Sequence, residues 1–347
     1  MSNFSERDQL LHTWLTQVFP NQNLQHQRLA GDASFRGYHR LTVGDKQYIV
    51  MDAPPDKESV KEFIAVDKLM ATHVHVPKLE AIDEAQGFIV MEDLGATDFA
   101  DVIAKDVNNS EDMVKTERHY QQAMQEILAI QQIDLSEAEK ILPPYDEALL
   151  TREMSLFTEW FLPYIGVELS EKTKQIWQNL QAEIIKQVTA QPQVVVHRDF
   201  HSRNLMVLDG TDELGVIDFQ DAVIGAYSYD LASLLRDAYI NFDENWVSEH
   251  LAKFYQLGNI ESRYTKSLGE FSREFNVMSM QRHLKVLGIF IRLFQRDGKD
   301  RYLANMPKVM GDLMTSLQAV KDDNQTFSQF YQWLNDEVKV KFEQKFS

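Results

Sequence analysis

The sequence predicts a two-part α+β protein, with a small antiparallel sheet ahead of a larger, mainly helical body. Three observations carry this. The chain has 347 residues, more than one compact domain usually holds. Hydrophobic alternation of period two is concentrated before Gly95, in short runs broken by turn signals. Beyond Gly95 the spacing is helical, apart from one β-rich island near residue 200. The expected division is 1–95 and 96–347.

Ser5 to Phe19 reads as an amphipathic helix. Ser5 and Asp8 fit a capping box, and Leu10, Leu11, Trp14, Leu15 and Val18 form its stripe. Gln27–Leu29, Phe35–Val43 and Gln47–Met51 read as strands, with turns at Gly31-Asp32 and Gly44-Asp45. Pro54-Pro55 ends the third strand. A helix over Lys57–Thr72 and strands over Val76–Ile82 and Gly87–Glu92 follow. Tyr120–Gln132, Tyr145–Tyr164 and Ser170–Thr189 are helices by spacing. The island holds Gln193–Val196, Leu205–Leu208 and Leu214–Ile217, and long helices resume at Tyr229.

Hydrophobic residues make up 44% and charged residues 25%, which excludes wholesale disorder. Acidic residues outnumber basic ones 53 to 35, for a formal charge of −18. A field of that sign repels polyanions, so neither nucleic acid nor a membrane is expected as a partner. With no cysteine, disulfides, thiolate zinc sites and a cysteine nucleophile are excluded. No apolar signal core or 18-residue apolar run is present, so a cytoplasmic protein is expected, and the expected state is a monomer. The Asn108-Asn109-Ser110 sequon reads as chance without a secretion signal. His73 and His75 share a strand face without a third ligand nearby and read as exposed histidines.

The chemistry concentrates in the island. His197-Arg198-Asp199-Phe200-His201-Ser202-Arg203-Asn204 matches H-R-D-x-x-x-x-N, the pattern of kinase catalytic loops. Asp218, in Ile217-Asp218-Phe219-Gln220, follows Asp199 by 19 residues, across a strand hairpin. Phosphoryl transfer needs a carboxylate near the attacking hydroxyl and oxygen ligands for magnesium. Asp199 fits the first role, and Asn204 with Asp218 the second. Either Asp alone reads equally as a turn cap.

These residues resemble the centre of the aminoglycoside phosphotransferase and choline kinase superfamily, small-molecule relatives of protein kinases. Tyr229-Asp230-Leu231-Ala232-Ser233-Leu234-Leu235 resembles the segment after the metal-binding Asp, where the Asp braces the catalytic loop. Read alone, Asp230 is as much an ordinary helix cap. A narrower likeness rests on Gly31–Arg36, Met51-Asp52-Ala53-Pro54-Pro55, Met91-Glu92-Asp93-Leu94-Gly95, Leu142-Pro143-Pro144-Tyr145-Asp146 and Arg282–Gly288. These resemble the bacterial N-acetylmuramate/N-acetylglucosamine anomeric kinases. The resemblance implies a bilobal protein-kinase-like fold and ATP- and Mg2+-dependent phosphorylation of the C1 hydroxyl of these amino sugars in peptidoglycan recycling. Another acceptor (an aminoglycoside, choline or other sugar) or a non-catalytic pseudokinase stands as the alternative.

Between two expected strands, Gly31, Ala33 and Ser34 occupy the place of the phosphate-covering loop, though without G-x-G-x-x-G spacing. The third strand lacks the phosphate-binding Lys of kinases. Tyr48, Val50 and Asp52 share a face there, and Asp52 takes the expected slot. Arg36 and Arg40 are the candidate replacements, to reach phosphates or pair with Asp52. The backbones of Glu92 and Leu94 are expected at the adenine edge, and Val50 against the ring. Each of these three reads equally as a core or strand-end residue.

Arg282, Lys285, Arg292 and Arg296 fall within about 80° on a helical wheel. This stripe reads first as a solvated or salt-bridged face. The functional alternative places a cation, Arg282 or Arg292, at the lactyl carboxylate of N-acetylmuramate. His201, Arg203 and Trp160 complete the candidate acceptor contacts, and for Trp160 the core is the first reading.

Overall fold

The computed structural model describes residues 6–29, 36–106, 110–211 and 213–346. The chain separates into two compact units, 1–97 with 206–220, and 98–205 with 221–347. The expected division at residue 95 placed the 206–220 hairpin with the second part, whereas the structure groups it with the first.

The first unit opens with α1 (Glu6–Val18), whose Glu6 and Asp8 favour the positive end of the helix dipole. A five-stranded antiparallel sheet follows: β1 (Leu24–Arg28), β2 (Gly37–Val43), β3 (Lys46–Asp52), β4 (Leu79–Asp83) and β5 (Phe88–Glu92), in the order β1-β2-β3-β5-β4. α2 (Lys61–Met70) is inserted between β3 and β4. One sheet face buries Leu41, Val50, Phe88 and Val90 against Leu11, Trp14 and Leu15 of α1. Leu10, placed in the α1 stripe by spacing, is exposed. Gly87 adopts φ +71°, and a Cβ there would lie 1.9 Å from the Ala53 carbonyl oxygen, so only glycine fits. The later hairpin joins this unit through Val207 N–H to Thr97 O (3.0 Å) and Val216 N–H to His75 O (2.7 Å).

In the second unit, α3 (Phe99–Asp106), α4 (Ser110–Ile130) and α5 (Leu135–Ala138) lead to α6 (Glu147–Leu156). α6 runs through a π-helical turn at Phe157–Phe161 into α7 (Leu162–Tyr164). The widened turn, closed by Leu162 N–H on Phe157 O, comes just before Pro163, which has no N–H to give. α8 (Glu171–Thr189) and β6 (Gln193–Val196) follow. The hairpin strands β7 (Leu205–Val207) and β8 (Leu214–Val216) come next, then β9 (Val223–Ala226), which pairs antiparallel with β6. After α9 (Tyr229–Leu235), α10 (Glu244–Leu257) and α11 (Ile260–Tyr264) comes the 30-residue α12 (Leu268–Asp297). The chain ends in α13 (Met306–Val320), α14 (Gln325–Trp333) and α15 (Lys339–Phe346).

α12 is fixed at both ends, by a Ser267/Glu270 capping box and by Gly298 at φ +67°. It packs against α6, α8, α9, α13 and the π-helical turn, so it is surrounded by helices rather than lying on the surface. Gly288 permits the approach to α6, because a Cβ there would lie 2.3 Å from the Leu156 carbonyl carbon. Among the described residues no helix is long and apolar enough to cross a membrane.

Candidate active site

The His197–Asn204 segment leaves the end of β6 and is shaped from within the second unit. Arg198 adopts φ +77°, a conformation unfavourable for a side chain other than glycine. Asp230, at the start of α9, holds it there. Its two carboxylate oxygens accept the N–H groups of His197 (2.8 Å) and Arg198 (2.9 Å). Burial pushes the Asp230 carboxyl up to about 7, although both N–H bonds favour its ionised form. Asp237 braces the next turn, accepting Ser202 N–H (2.8 Å) and Tyr239 N–H (2.8 Å).

Asp199 and Asn204 are tied together directly. Asn204 Nδ2 donates to the Asp199 carbonyl at 2.9 Å, and His201 N–H donates to the same oxygen at 3.0 Å. Asp199 is half-buried. Burial works to raise its pKa, but Lys285, His201, Arg198 and Arg282 together hold it below the usual carboxylate range. It is therefore an ionised acceptor at neutral pH.

Two of those cations share a buried anion that the sequence did not reveal. Glu153 of α6 meets Arg198 Nη2 at 2.6 Å and Lys285 Nζ at 3.1 Å through Oε1. Its Oε2 accepts from the Tyr145 hydroxyl and, at 3.2 Å, from Gln281 Nε2. Against the penalty of burial, Lys285 and Arg198 bring the Glu153 pKa down to about 2. Leu142–Asp146 supplies part of this network. Tyr145 N–H bonds Ile224 O of β9 (2.7 Å), and Asp146 caps α6 through Leu149 N–H (2.9 Å). An acid and a base set among apolar neighbours, Glu153 on α6 and Lys285 on α12, were the available signal.

The four cations of the α12 stripe have different surroundings. Lys285 is 8% exposed and bound to Glu153 and the Tyr229 hydroxyl (3.2 Å). Arg296 is exposed and paired with its neighbour Asp297 (2.7 Å). Arg292 is half-buried, and Arg282 is buried over the Tyr229 ring at 5.6 Å. A helical wheel shows which residues share a face, not what covers it, and here the face is largely interior. Arg203, expected at the acceptor, is exposed and paired with Asp98 (2.8 Å) and Asp101 (2.7 Å). His201 is half-buried with its ring 5.5 Å from that of Tyr239, and Trp160 is half-buried in the π-helical turn.

In the first unit, Asp218 also adopts a positive φ, +65°, and its Oδ1 accepts from Gln220 Nε2 at 2.7 Å. Gly31, Ala33 and Ser34 lie outside the described residues. Arg36 pairs with Glu58, ahead of α2. Arg40 does not pair with Asp52: it grips Asp93 with two N–H groups (2.6 and 3.1 Å) and the Gly95 carbonyl (2.9 Å). Asp52 pairs instead with Arg7 of α1, whose Nε lies 2.8 Å away.

Strand register explains the difference. Tyr38 and Arg40 stand opposite Met51 and Ile49, so the cation-bearing face of β3 presents Ile49 and Met51. Tyr48, Val50 and Asp52 face α1, which buries Val50 in the core against Leu11, Trp14 and Leu15 instead of leaving it open to a ring. The Glu92 N–H is used by Lys78 O (2.9 Å), and Leu94 is buried against Gly215.

Magnesium suits what these residues can offer. Asn204 has engaged its amide nitrogen, which makes Oδ1 its atom suited to a hard cation, and Asp218 brings a carboxylate. Among the described residues no three His, Asp or Glu side chains form a metal cluster.

Known proteins resemble the chain in sequence and in fold. An N-acetylmuramate/N-acetylglucosamine kinase of Neisseria meningitidis serogroup B is 39% identical over 311 residues, 89% of this chain and 90% of its own. One of Pseudomonas aeruginosa is 37% identical, covering 83% and 82%. A putative aminoglycoside phosphotransferase of Ralstonia eutropha shares the bilobal protein-kinase-like fold. Its TM-score is 0.63 at 15% identity, over 90% of this chain and 98% of its own. A model described as "Phosphotransferase enzyme family" matches residues 25–263, and the chain belongs to that family.

Proposed function

We propose that this chain is an ATP-dependent sugar kinase acting on the anomeric C1 hydroxyl of N-acetylmuramate and N-acetylglucosamine. The observation that carries the chemistry is Asp199, kept ionised by surrounding basic groups, Lys285, Arg198 and Arg282 among them, on a loop locked by Asn204 and Asp230. The choice of sugar is supported by the relatives named as N-acetylmuramate/N-acetylglucosamine kinases, 37 to 39% identical over most of the chain.

In this reading the anomeric oxygen bonds to the γ-phosphorus while the bond to the bridging oxygen of ADP breaks. Asp199 orients the hydroxyl and takes its proton late in the transfer. Asn204 and Asp218 would hold magnesium, which screens the phosphate charge when bound. Gly31, Ala33 and Ser34 are assigned to the phosphates through their backbone. Arg36, steadied by Glu58, is assigned there in place of a third-strand Lys.

The test is an acceptor screen with ATP, read by phosphorus NMR of the product. Sugar 1-phosphate should form from both amino sugars, with one ADP released per sugar. Phosphate on another hydroxyl, or turnover confined to an aminoglycoside or choline, overturns the reading. Nucleotide binding without turnover on any acceptor would favour a binding module instead.

A further inference from the structure

Around Asp199 the cations divide into two kinds. Arg198 and Lys285 share the Glu153 carboxylate. Arg282 is 6% exposed, and its Nε is sealed from solvent without a partner. Among the described residues it has no carboxylate within ion-pair distance and no hydrogen bond. Its Cζ lies over the Tyr229 ring, 5.6 Å from the centroid. Its charge nevertheless acts on both Asp199 and Asp230. A buried guanidinium without an anion is costly, and one with five donors in a fixed fork is suited to a carboxylate or phosphate. His201, which also acts on Asp199, has an Nδ1 sealed without a hydrogen bond.

We propose that Arg282 recognises the lactyl carboxylate of N-acetylmuramate and so sets preference between the two amino sugars. This rests on the sugar-kinase reading. The carboxylate hangs from the C3 oxygen, two ring carbons from the C1 hydroxyl that Asp199 serves. In this proposal the Arg282 guanidinium, which acts on Asp199, is the anion's partner. N-acetylglucosamine carries no such group and leaves Arg282 as it is. The other oxyanion available to Arg282 is the transferred phosphoryl group, which is common to both acceptors.

The experiment compares wild type, Arg282→Gln and Arg282→Lys on three acceptors: N-acetylmuramate, its neutral carboxamide, and N-acetylglucosamine. In Arg282→Gln, the kcat/KM ratio of N-acetylmuramate to N-acetylglucosamine should fall about 10- to 150-fold, the range of a charged hydrogen bond. Wild type should prefer N-acetylmuramate over the carboxamide by a similar factor, and Arg282→Gln should lose that preference. Arg282→Lys should fall between the two. Equal losses on both sugars assign Arg282 to the phosphoryl group and overturn the proposal. Equal use of the carboxamide by wild type overturns it without any variant, should Arg282→Gln fail to fold. Wild type that phosphorylates neither sugar sinks the kinase reading and this inference together. Turnover of both with an unchanged ratio sinks the inference alone.

Discussion

Asp230 Oδ1 accepts the backbone N–H of Arg198 at 2.9 Å, at a residue whose φ is +77°. A non-glycine residue in that region carries strain on the order of 1–3 kcal/mol, and it persists only where its surroundings over-determine it. Here they do so twice. Asp230 holds the Arg198 backbone, while Glu153 holds its guanidinium at 2.6 Å. The strained residue precedes Asp199, so the same contacts fix where the carboxylate sits.

Asp230→Asn tests the backbone half of this clamp. The amide offers one acceptor where the carboxylate offers two, and turns an NH2 toward a backbone N–H. A loss of about 1–3 kcal/mol is expected from urea unfolding. The pH dependence is a second readout. A folded-state pKa raised from 3.8 to about 7 favours the native state below 3.8, and that contribution is lost as pH rises through 7. Wild type should therefore lose stability progressively between about pH 4 and 7, levelling off above that, in a way that the variant does not. Identical slopes would remove Asp230 from the titration.

Glu153→Gln tests the side-chain half, with the opposite sign. Depression of the Glu153 pKa from 4.5 to about 2 gives stability that is full above 4.5 and lost as pH falls toward 2. The contribution is on the order of 3 kcal/mol at neutral pH. The variant should be less stable at pH 7, since Arg198 and Lys285 lose their shared anion. It should also show a shallower acid decline between about pH 4.5 and 2. An unchanged acid profile would contradict the network.

Much of this was legible in the sequence, and the failures share a cause. Period-two and helical spacing located β2, β3, β5, α6, α8 and the island strands because one face of each is buried and the other is not. The His197–Asn204 segment was legible because its chemistry needs fixed residue types at fixed spacing. What failed needed knowledge of the covering layer. The cations of α12 share a face, but helices enclose that face, so Arg282 and Lys285 are interior. Val50 and Asp52 alternate correctly along β3, yet α1 claims their side and leaves Met51 on the other. Glu153 could not be paired from the sequence, because its partners come from three separate stretches of chain: Tyr145 ahead of α6, Arg198 in the loop, and Gln281 with Lys285 on α12.

Asp199→Asn isolates the proton acceptor. Turnover should fall roughly 10²–10⁴-fold, the usual contribution of a general base. Nucleotide affinity should stay within a few-fold, and the fold should be kept because the side chain is nearly isosteric. Since its neighbours hold Asp199 below the usual carboxylate range, wild-type kcat should stay level as pH falls to about 5. Near wild-type turnover in the variant would take Asp199 out of the reaction.

Asp218→Ala addresses the metal. Calorimetry with magnesium-ATP should show markedly weaker binding, and ATP titrated with EDTA present should bind wild type and variant alike. Asn204→Ala should weaken magnesium-ATP binding less, because a neutral amide gives the ion less charge. Equal magnesium-ATP affinity in wild type and Asp218→Ala would exclude Asp218 as a ligand.

Gly288→Ala links packing to the site. On helix propensity alone, alanine in the middle of α12 should stabilise by about 1 kcal/mol. The added Cβ would lie 2.3 Å from the Leu156 carbonyl carbon and 2.4 Å from its oxygen. These are backbone atoms of α6, so no rotamer change relieves the clash and one helix must shift. Overpacking of this kind costs about 1–3 kcal/mol, enough to cancel or exceed the propensity gain. The shift reaches function because Lys285 and Arg282 stand about one and two turns before Gly288 on the same rigid helix. Displacing α12 pulls Lys285 from Glu153 and moves Arg282 relative to Asp199. The expected outcome is a lower midpoint in urea together with a kcat loss of at least several-fold. A variant more stable than wild type, with unchanged kcat, would show that α12 and α6 separate freely and that their spacing does not set the position of the cations.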